Sequence, residues 1–192
     1  LHLAFNRYSN LITFHGPMIA TELGDNPNQL TIESIKKILF ENYKIDILKE
    51  FDLDELEIIN SGIGEGKITG GNLALLASTI GTPYELQTDN NLLFIEDIGE
   101  EPYNIDRMLS QLKNAGKLDN LAGLIIGNFT DSEPKNYDPS LTVDEVLSDY
   151  FADVNYPVIR NLPFGHDKTQ LTLPLGVKAK LDTLNNSLKI IK

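Results

Sequence analysis

The chain has 192 residues, 41% of them hydrophobic, which suffices for one sizeable core or two small ones. Its 28 acidic and 16 basic residues give a formal net charge of −12, which repels phosphate backbones and anionic membrane surfaces, so neither nucleic acid nor membrane is an expected partner. The absence of cysteine excludes a disulfide framework, a thiolate nucleophile and Cys-ligated zinc, and leaves chemistry to oxygen and imidazole.

Leu1, Leu3, Ala4, Phe5 and Tyr8 read as a helix already under way, in a chain that opens at Leu rather than Met; it is expected to be the downstream part of a longer protein. No window approaches the roughly 20 apolar residues of a membrane span, and no basic-then-apolar signal segment stands at the start. Leu11 to Phe14 is a short strand, broken by His15-Gly16-Pro17-Met18. After the polar loop Gly24-Asp25-Asn26-Pro27-Asn28, a helix is predicted over Ile32–Phe40 with Thr31 as its cap. Ile45–Phe51 and Leu56–Asn60 read as strands, and Ser61-Gly62-Ile63-Gly64-Glu65-Gly66 as a glycine-rich turn.

Leu73, Leu76 and Ile80 share one face of a helix over Asn72–Ile80, with Gly81 as its stop. The continuous apolar run Leu92–Ile95 reads as a fully buried strand that ends in Glu96-Asp97. Ile105, Met108, Leu109 and Leu112 recur at helical spacing before Gly116, and Leu121–Phe129 is a second apolar strand. A loop over Thr130–Ser140 leads to a helix carrying Val143, Val146, Leu147 and Tyr150, then to a short strand at Val158-Ile159. In the tail the period changes to two, through Leu171, Leu173, Val177, Ala179, Leu181, Leu188 and Ile190, around an Asn185-Asn186 turn. The expected fold is α/β: a mixed β-sheet with packed helices and a carboxy-terminal β-meander.

The glycine-rich turn fits no nucleotide motif. A P-loop needs glycine, four residues, then Gly-Lys-Ser/Thr, but Ser61 stands five before Gly66 and Ile68 follows Lys67; the dinucleotide fingerprint fails because its third glycine would be Lys67. His2, His15 and His166 are scattered without metal-ligand spacing, so no metal and no cofactor are expected. His2 reads as a surface or capping residue and His15 as a loop-orienting one. Glu96 and His166 differ, because each sits where an element ends beside small residues and can project into a cleft. In a hydroxyl, imidazole and carboxylate arrangement, the imidazole takes the proton and the carboxylate fixes its tautomer. The bland alternative is that Glu96 caps a helix and His166 shapes a turn. Asn72 and the Gly70-Gly71 turn are candidates for lining that cleft, with helix capping as the compatible structural role of Asn72. None of the nine serines lies in Gly-x-Ser-x-Gly, and Ser61, the one beside the glycine-rich loop, lacks a strand-to-helix elbow.

The ordered series His15-Gly16-Pro17-Met18, Gly70-Gly71-Asn72-Leu73, Gly81-Thr82-Pro83, Leu93-Phe94-Ile95-Glu96-Asp97, Tyr103 with Ile105-Asp106-Arg107, Ala115-Gly116, Gly127-Asn128-Phe129, Pro163-Phe164-Gly165-His166 and Leu173-Pro174-Leu175-Gly176 resembles the LD-carboxypeptidase family of serine peptidases. That family includes muropeptide LD-carboxypeptidases and microcin C immunity peptidases. The resemblance implies a Ser-Glu-His triad in which Glu96 and His166 are catalytic and Gly71 and Asn72 bind substrate. The nucleophile would lie outside the chain, in a Gly-Tyr-Ser-Asp turn of a missing amino-terminal domain. Residues 1–20 then correspond to the end of the linking helix and strand, and 21–192 to the carboxy-terminal domain.

By the same resemblance, the expected substrate is a peptidoglycan-derived muropeptide with an L,D-peptide bond. The rival readings are a microcin C-type immunity peptidase and a non-catalytic peptide-binding module on the same fold. Arg107 is a candidate clamp for the substrate carboxylate, against a plain helix-surface ion pair. A homodimer, a cytoplasmic location and exposed apolar residues around Leu1, Leu3 and Phe5 complete the expectations.

Overall fold

The computed structural model describes all residues except 25, 42–44, 52, 54, 137, 138 and 192; the predicted loop residues Asp25, Tyr137 and Asp138 lie outside the described set. The elements, in chain order, are α1 (His2–Ser9), β1 (Thr13–His15), α2 (Gln29–Phe40), α3 (Ile47–Glu50), β2 (Glu57–Asn60), β3 (Ile63–Asn72), α4 (Leu73–Ser78), β4 (Leu92–Ile98), α5 (Pro102–Asn114), β5 (Gly123–Thr130), α6 (Val143–Phe151), β6 (Val158–Arg160), β7 (Leu173–Leu175), β8 (Lys178–Asp182) and β9 (Ser187–Ile190).

Seven strands form one mixed sheet in the order β2-β6-β5-β4-β3-β8-β9, and β1 pairs with β7 in a separate two-stranded ladder. The inner run β3, β4, β5 and β6 is parallel, while β2, β8 and β9 add antiparallel to its flanks. Central parallel strands are covered on both faces, which is why β4 and β5 read as unbroken apolar runs. Alternation along β4 sends Leu93 and Ile95 to the side of α4, α5 and α6, in a core shared with Leu73, Ile105, Leu109 and Leu147. Leu92 and Phe94 face the other way, into a core built with Ile38 of α2, Ile47 of α3, Phe164 and the β8–β9 hairpin.

Most predicted elements are present within one or two residues, including a capping box at Thr142 and Glu145 that starts α6. Four details differ. The cap of α2 is Asn28, whose Oδ1 accepts from Leu30 and Thr31 N–H; Thr31 lies inside the helix and its hydroxyl accepts from Gln170 N–H at 2.9 Å. The predicted strand at Ile45–Phe51 is the helix α3, because Ile47, Leu48 and Phe51 fall at helical spacing once the Asp46 carboxylate has caught Leu188 N–H and the Ser187 hydroxyl of β9. The glycine-rich segment turns only at Ser61-Gly62 and is strand β3 from Ile63 onward. Its glycine is there for close approach: a Cβ at Gly64 would lie 1.6 Å from the Ala122 carbonyl oxygen. In the tail, β8 and β9 form an antiparallel hairpin on β3, whereas the Leu173–Leu175 part of the alternating pattern pairs with β1.

No residue of α1 is fully buried; Leu1 and Phe5 are exposed, and Leu3 packs partly against the helical core. Among the described residues, no helix is long and apolar enough to cross a membrane. Leu109, 0% exposed on α5, anchors the helical layer, so Leu109→Ala should cost about 2–5 kcal/mol in urea unfolding, whereas Leu184→Ala at a 67% exposed position should change stability by under about 0.5 kcal/mol.

Candidate active site

Strand β4 delivers two adjacent carboxylates to opposite faces of the sheet. Asp97 points to the helical side, where Oδ1 accepts from Asn72 Nδ2 at 2.7 Å and Ile98 N–H at 2.8 Å, and Oδ2 accepts from Ala74 N–H at 2.9 Å. It is a structural carboxylate, tying the start of α4 to the end of β4. Glu96 points the other way, follows Phe94 on that face and is 0% exposed, and among the described residues neither of its oxygens has a hydrogen-bond partner of normal geometry. The β4–β5 register shifts between Ile95 and Asp97, a bulge of the kind that re-aims side chains beside functional sites.

Two imidazoles face the Glu96 carboxylate. His166 Nε2 lies 3.8 Å from Oε2 and His15 Nε2 lies 4.0 Å from Oε1, both longer than a hydrogen bond. Phe164 and Gly165 lead into His166 across the top of β5, where Asn128 N–H donates to the Phe164 carbonyl at 2.8 Å. Only glycine fits this crossing. Gly165 has φ +122°, and a Cβ there would sit 3.0 Å from Glu96 Oε2; a Cβ at Gly127 beneath it would sit 2.6 Å from the Phe164 carbonyl oxygen. The ring of His15 stands edge-on to Phe94 with centroids 4.9 Å apart, and Phe94 stands edge-on to Phe164 at 5.5 Å. The aromatic residues two places before Glu96 and two before His166 therefore hold the strand, the loop and β1 in register.

These groups line a cleft of about 490 Å³ between α1, the Gly70-Gly71-Asn72 end of β3, and α4. Gly71 and Asn72 line it as expected, and Asn72 also caps α4, its Oδ1 accepting from Leu75 N–H at 3.1 Å. His2, read from sequence as a surface or capping residue, instead lies half-buried in the cleft wall with its ring 6.2 Å from that of His15. His15, read as a loop-orienting residue, reaches the carboxylate; the signal for it was its position at the end of a strand before Gly16-Pro17, the same kind of place that singled out Glu96. Arg107 donates to Asn104 Oδ1 on the exposed face of α5 and does not line the cleft. Ser61 lies at the far end of β3, away from Asn72 and the cleft.

Burial, reinforced by the neighbouring Asp97 charge and opposed by the Asn72 amide, pushes the Glu96 carboxyl up to about 7. Burial, with His2 and His166 adding to it, lowers His15 to about 4, so this imidazole is neutral at ordinary pH.

The family model described as the LD-carboxypeptidase C-terminal domain matches residues 65–181. The chain belongs to this family. The matched span contains Gly71, Asn72, Glu96 and His166, whereas His15 lies outside it. The "Probable murein peptide carboxypeptidase" of Bacillus subtilis is 43% identical over 184 residues, which is 95% of this chain and 57% of that protein. The "Microcin C7 self-immunity protein MccF" of Escherichia coli is 28% identical over 212 residues, 95% of this chain and 60% of that protein. Among solved structures, the muramoyltetrapeptide carboxypeptidase from Oxalobacter formigenes superposes with a TM-score of 0.79 at 28% identity, covering 98% of this chain and 64% of that one. The chain thus spans somewhat more than half the length of the curated relatives it matches.

The two shifted groups pull stability in opposite directions. Glu96 binds its proton more tightly folded than unfolded, so it withdraws stability as pH rises from about 4.5 to about 7; His15 binds its proton less tightly folded, so it withdraws stability as pH falls from about 6.5 to about 4. Across the overlap they largely cancel. The unfolding free energy of Glu96→Gln from urea titration should therefore climb between pH 4 and 6.5, and that of His15→Phe should fall between pH 4.5 and 7, each by up to about 3 kcal/mol. Profiles parallel to that of the unaltered chain would contradict the assigned environments.

Proposed function

We propose that this chain is the carboxy-terminal part of a serine-type LD-carboxypeptidase that hydrolyses an L,D-peptide bond in peptidoglycan-derived muropeptides. The observation that carries the reading is the convergence of Glu96 and His166 at 3.8 Å on one wall of a cleft whose adjoining wall is the Gly71-Asn72 turn. A buried carboxylate beside a partly exposed imidazole is the base-and-orienter half of a nucleophilic site. Names of relatives that act on murein peptides, and their greater length, support a nucleophilic serine carried by polypeptide beyond this chain.

In this reading the serine hydroxyl attacks the carbonyl that joins an L-centre to a terminal D-residue. His166 takes the hydroxyl proton on the ring nitrogen turned away from Glu96, and Glu96 orients the ring and stabilises the imidazolium that forms. The proton then passes to the leaving amine of the D-residue, and water attacks the acyl-enzyme by the same route in reverse, with His166 again as base. Gly71 and Asn72 line the substrate side; Asn72 has its Oδ1 on α4 and its amide N–H groups toward Asp97 and Glu96, so it holds the cleft wall in place against the two carboxylates. Residues 1–20 serve as the end of the link to the amino-terminal domain and 21–192 as the domain carrying Glu96 and His166, and the enzyme works in the cytoplasm as a homodimer without a metal or cofactor.

Likeness to the microcin C7 immunity protein favours a second reading, a peptidase that cleaves a microcin-type aminoacyl-adenylate analogue. Assay of the full-length polypeptide on a tetrapeptide ending in D-Ala against such an analogue separates the two. With the preferred substrate, Glu96→Ala and His166→Ala should each lower kcat by about 10³-fold or more while the fold persists. Near-normal turnover by either variant would remove that residue from the mechanism.

A further inference from the structure

The Glu96 carboxylate is walled in by more than His166. Its Oε2 faces His166 and its Oε1 faces His15; among the described residues neither oxygen has a hydrogen bond of normal geometry, and the Asn72 amide is the one other group that favours its ionised form. A carboxylate that must stay ionised inside a protein needs donors on both oxygens, because each unsatisfied buried acceptor costs about 1–3 kcal/mol, more when charged. His166 cannot supply both, since in the proposed mechanism its other nitrogen serves the hydroxyl.

We propose that His15 is a positioning residue of this site, donating Nε2–H to Glu96 Oε1 and thereby holding the carboxylate ionised and aimed at His166. This rests on the reading of Glu96 as the orienting carboxylate.

The surroundings of His15 are built for a fixed ring. Pairing of β1 with β7 sets His15 opposite Leu173, and the edge-on contact with Phe94 fixes the ring's tilt. Its side chain is only 17% exposed, against 32% for His166, so the two imidazoles differ in access to solvent as they would if one positioned and the other exchanged protons with substrate. The neutral form set by burial carries one N–H, and with Nε2 turned to the carboxylate that hydrogen belongs on Nε2. A neutral donor supports the charge on Glu96 without competing with the imidazolium that forms at His166. The 4.0 Å separation exceeds a hydrogen bond by about 1 Å, and donation from His15 requires that this gap close in the chain as it stands, before substrate binds. The groups that face Glu96 are His15 from β1 at 4.0 Å and His166 from the loop after β6 at 3.8 Å, with Asp97 on its own strand raising its pKa, the Asn72 amide of β3 lowering it, and His2 of α1 behind His15.

The test reads the carboxylate itself, in this chain, by NMR. The ¹⁵N shifts of His15 should report the Nε2–H tautomer. In ¹³C titration of the Glu96 carboxyl, His15→Phe, which keeps a ring against Phe94 and removes both nitrogens, should raise the midpoint by about one pH unit or more, and His15→Gln, which restores an N–H donor, should return it most of the way. An Nδ1–H tautomer overturns the proposal without any variant, so failure of His15→Phe to fold does not shield it. An unmoved Glu96 midpoint in folded His15→Phe also overturns it. Turnover by the full-length polypeptide is a separate readout: a normal pH–rate profile for His15→Phe beside inactive Glu96→Ala and His166→Ala would dismiss His15 and spare the peptidase reading. A shifted midpoint in a protein that cleaves no L,D-peptide would retire the peptidase reading and leave the His15–Glu96 contact standing.

Discussion

The site depends on one costly placement: a glutamate with no solvent exposure and, among the described residues, no hydrogen bond of normal geometry to either oxygen, at the end of a central parallel strand. Burying an ionisable group without partners is tolerated only where neighbouring structure over-determines its position, and such groups collect at functional sites. Here the bulge in β5, the glycine crossing at 127 and 165, and the Phe94–Phe164 contact together leave the carboxylate nowhere else to go. The cost has a chemical use. An acid raised to about 7 has unspent attraction for a positive charge, and in the proposed mechanism a proton arriving on His166 is what would supply that charge.

The alternation of a β-strand explains how adjacent carboxylates come to differ so completely. Asp97, one residue on, faces the helical layer and is saturated by three donors from β3, α4 and its own backbone. It ties the Gly71-Asn72 wall of the cleft to the strand that carries Glu96, so the two sides of the cleft are held to each other. A one-residue slip in β4 would exchange the two environments, which is why the register of this strand matters more to the site than any single contact.

Much of this was legible in the sequence because buried parallel strands announce themselves as unbroken apolar runs, and the abrupt change from Leu-Leu-Phe-Ile to Glu-Asp marks where such a strand meets a cleft. The family's motifs then singled out His166, which spacing alone left at parity with a turn residue. The misread segments share a physical cause: their local pattern was overridden by distant partners. Gly64 looks like turn chemistry but serves close approach to Ala122; Ile45–Phe51 looks extended until Asp46 is pinned to β9; Thr31 looks like a cap until Asn28 takes that role and its hydroxyl turns to Gln170. His15 was undervalued for the same reason. Nothing near it in the chain reveals that a ladder with Leu173, 158 positions downstream, carries it to Glu96.

The ring sequence His15, Phe94, Phe164 gives that long-range assembly its rigidity. Each edge-on contact is worth about 0.5–1.5 kcal/mol beyond the apolar area it buries, and each joins a different chain segment to the next. Phe94 and Phe164 stand two residues before Glu96 and His166, so the spacing of the rings sets the spacing of the acid and the base. Loosening either ring contact would leave every polar residue in place and still spoil the geometry, because the proton transfer proposed for His166 would tolerate errors of only a fraction of an ångström. The precision of the polar pair is therefore a property of the apolar packing beneath it.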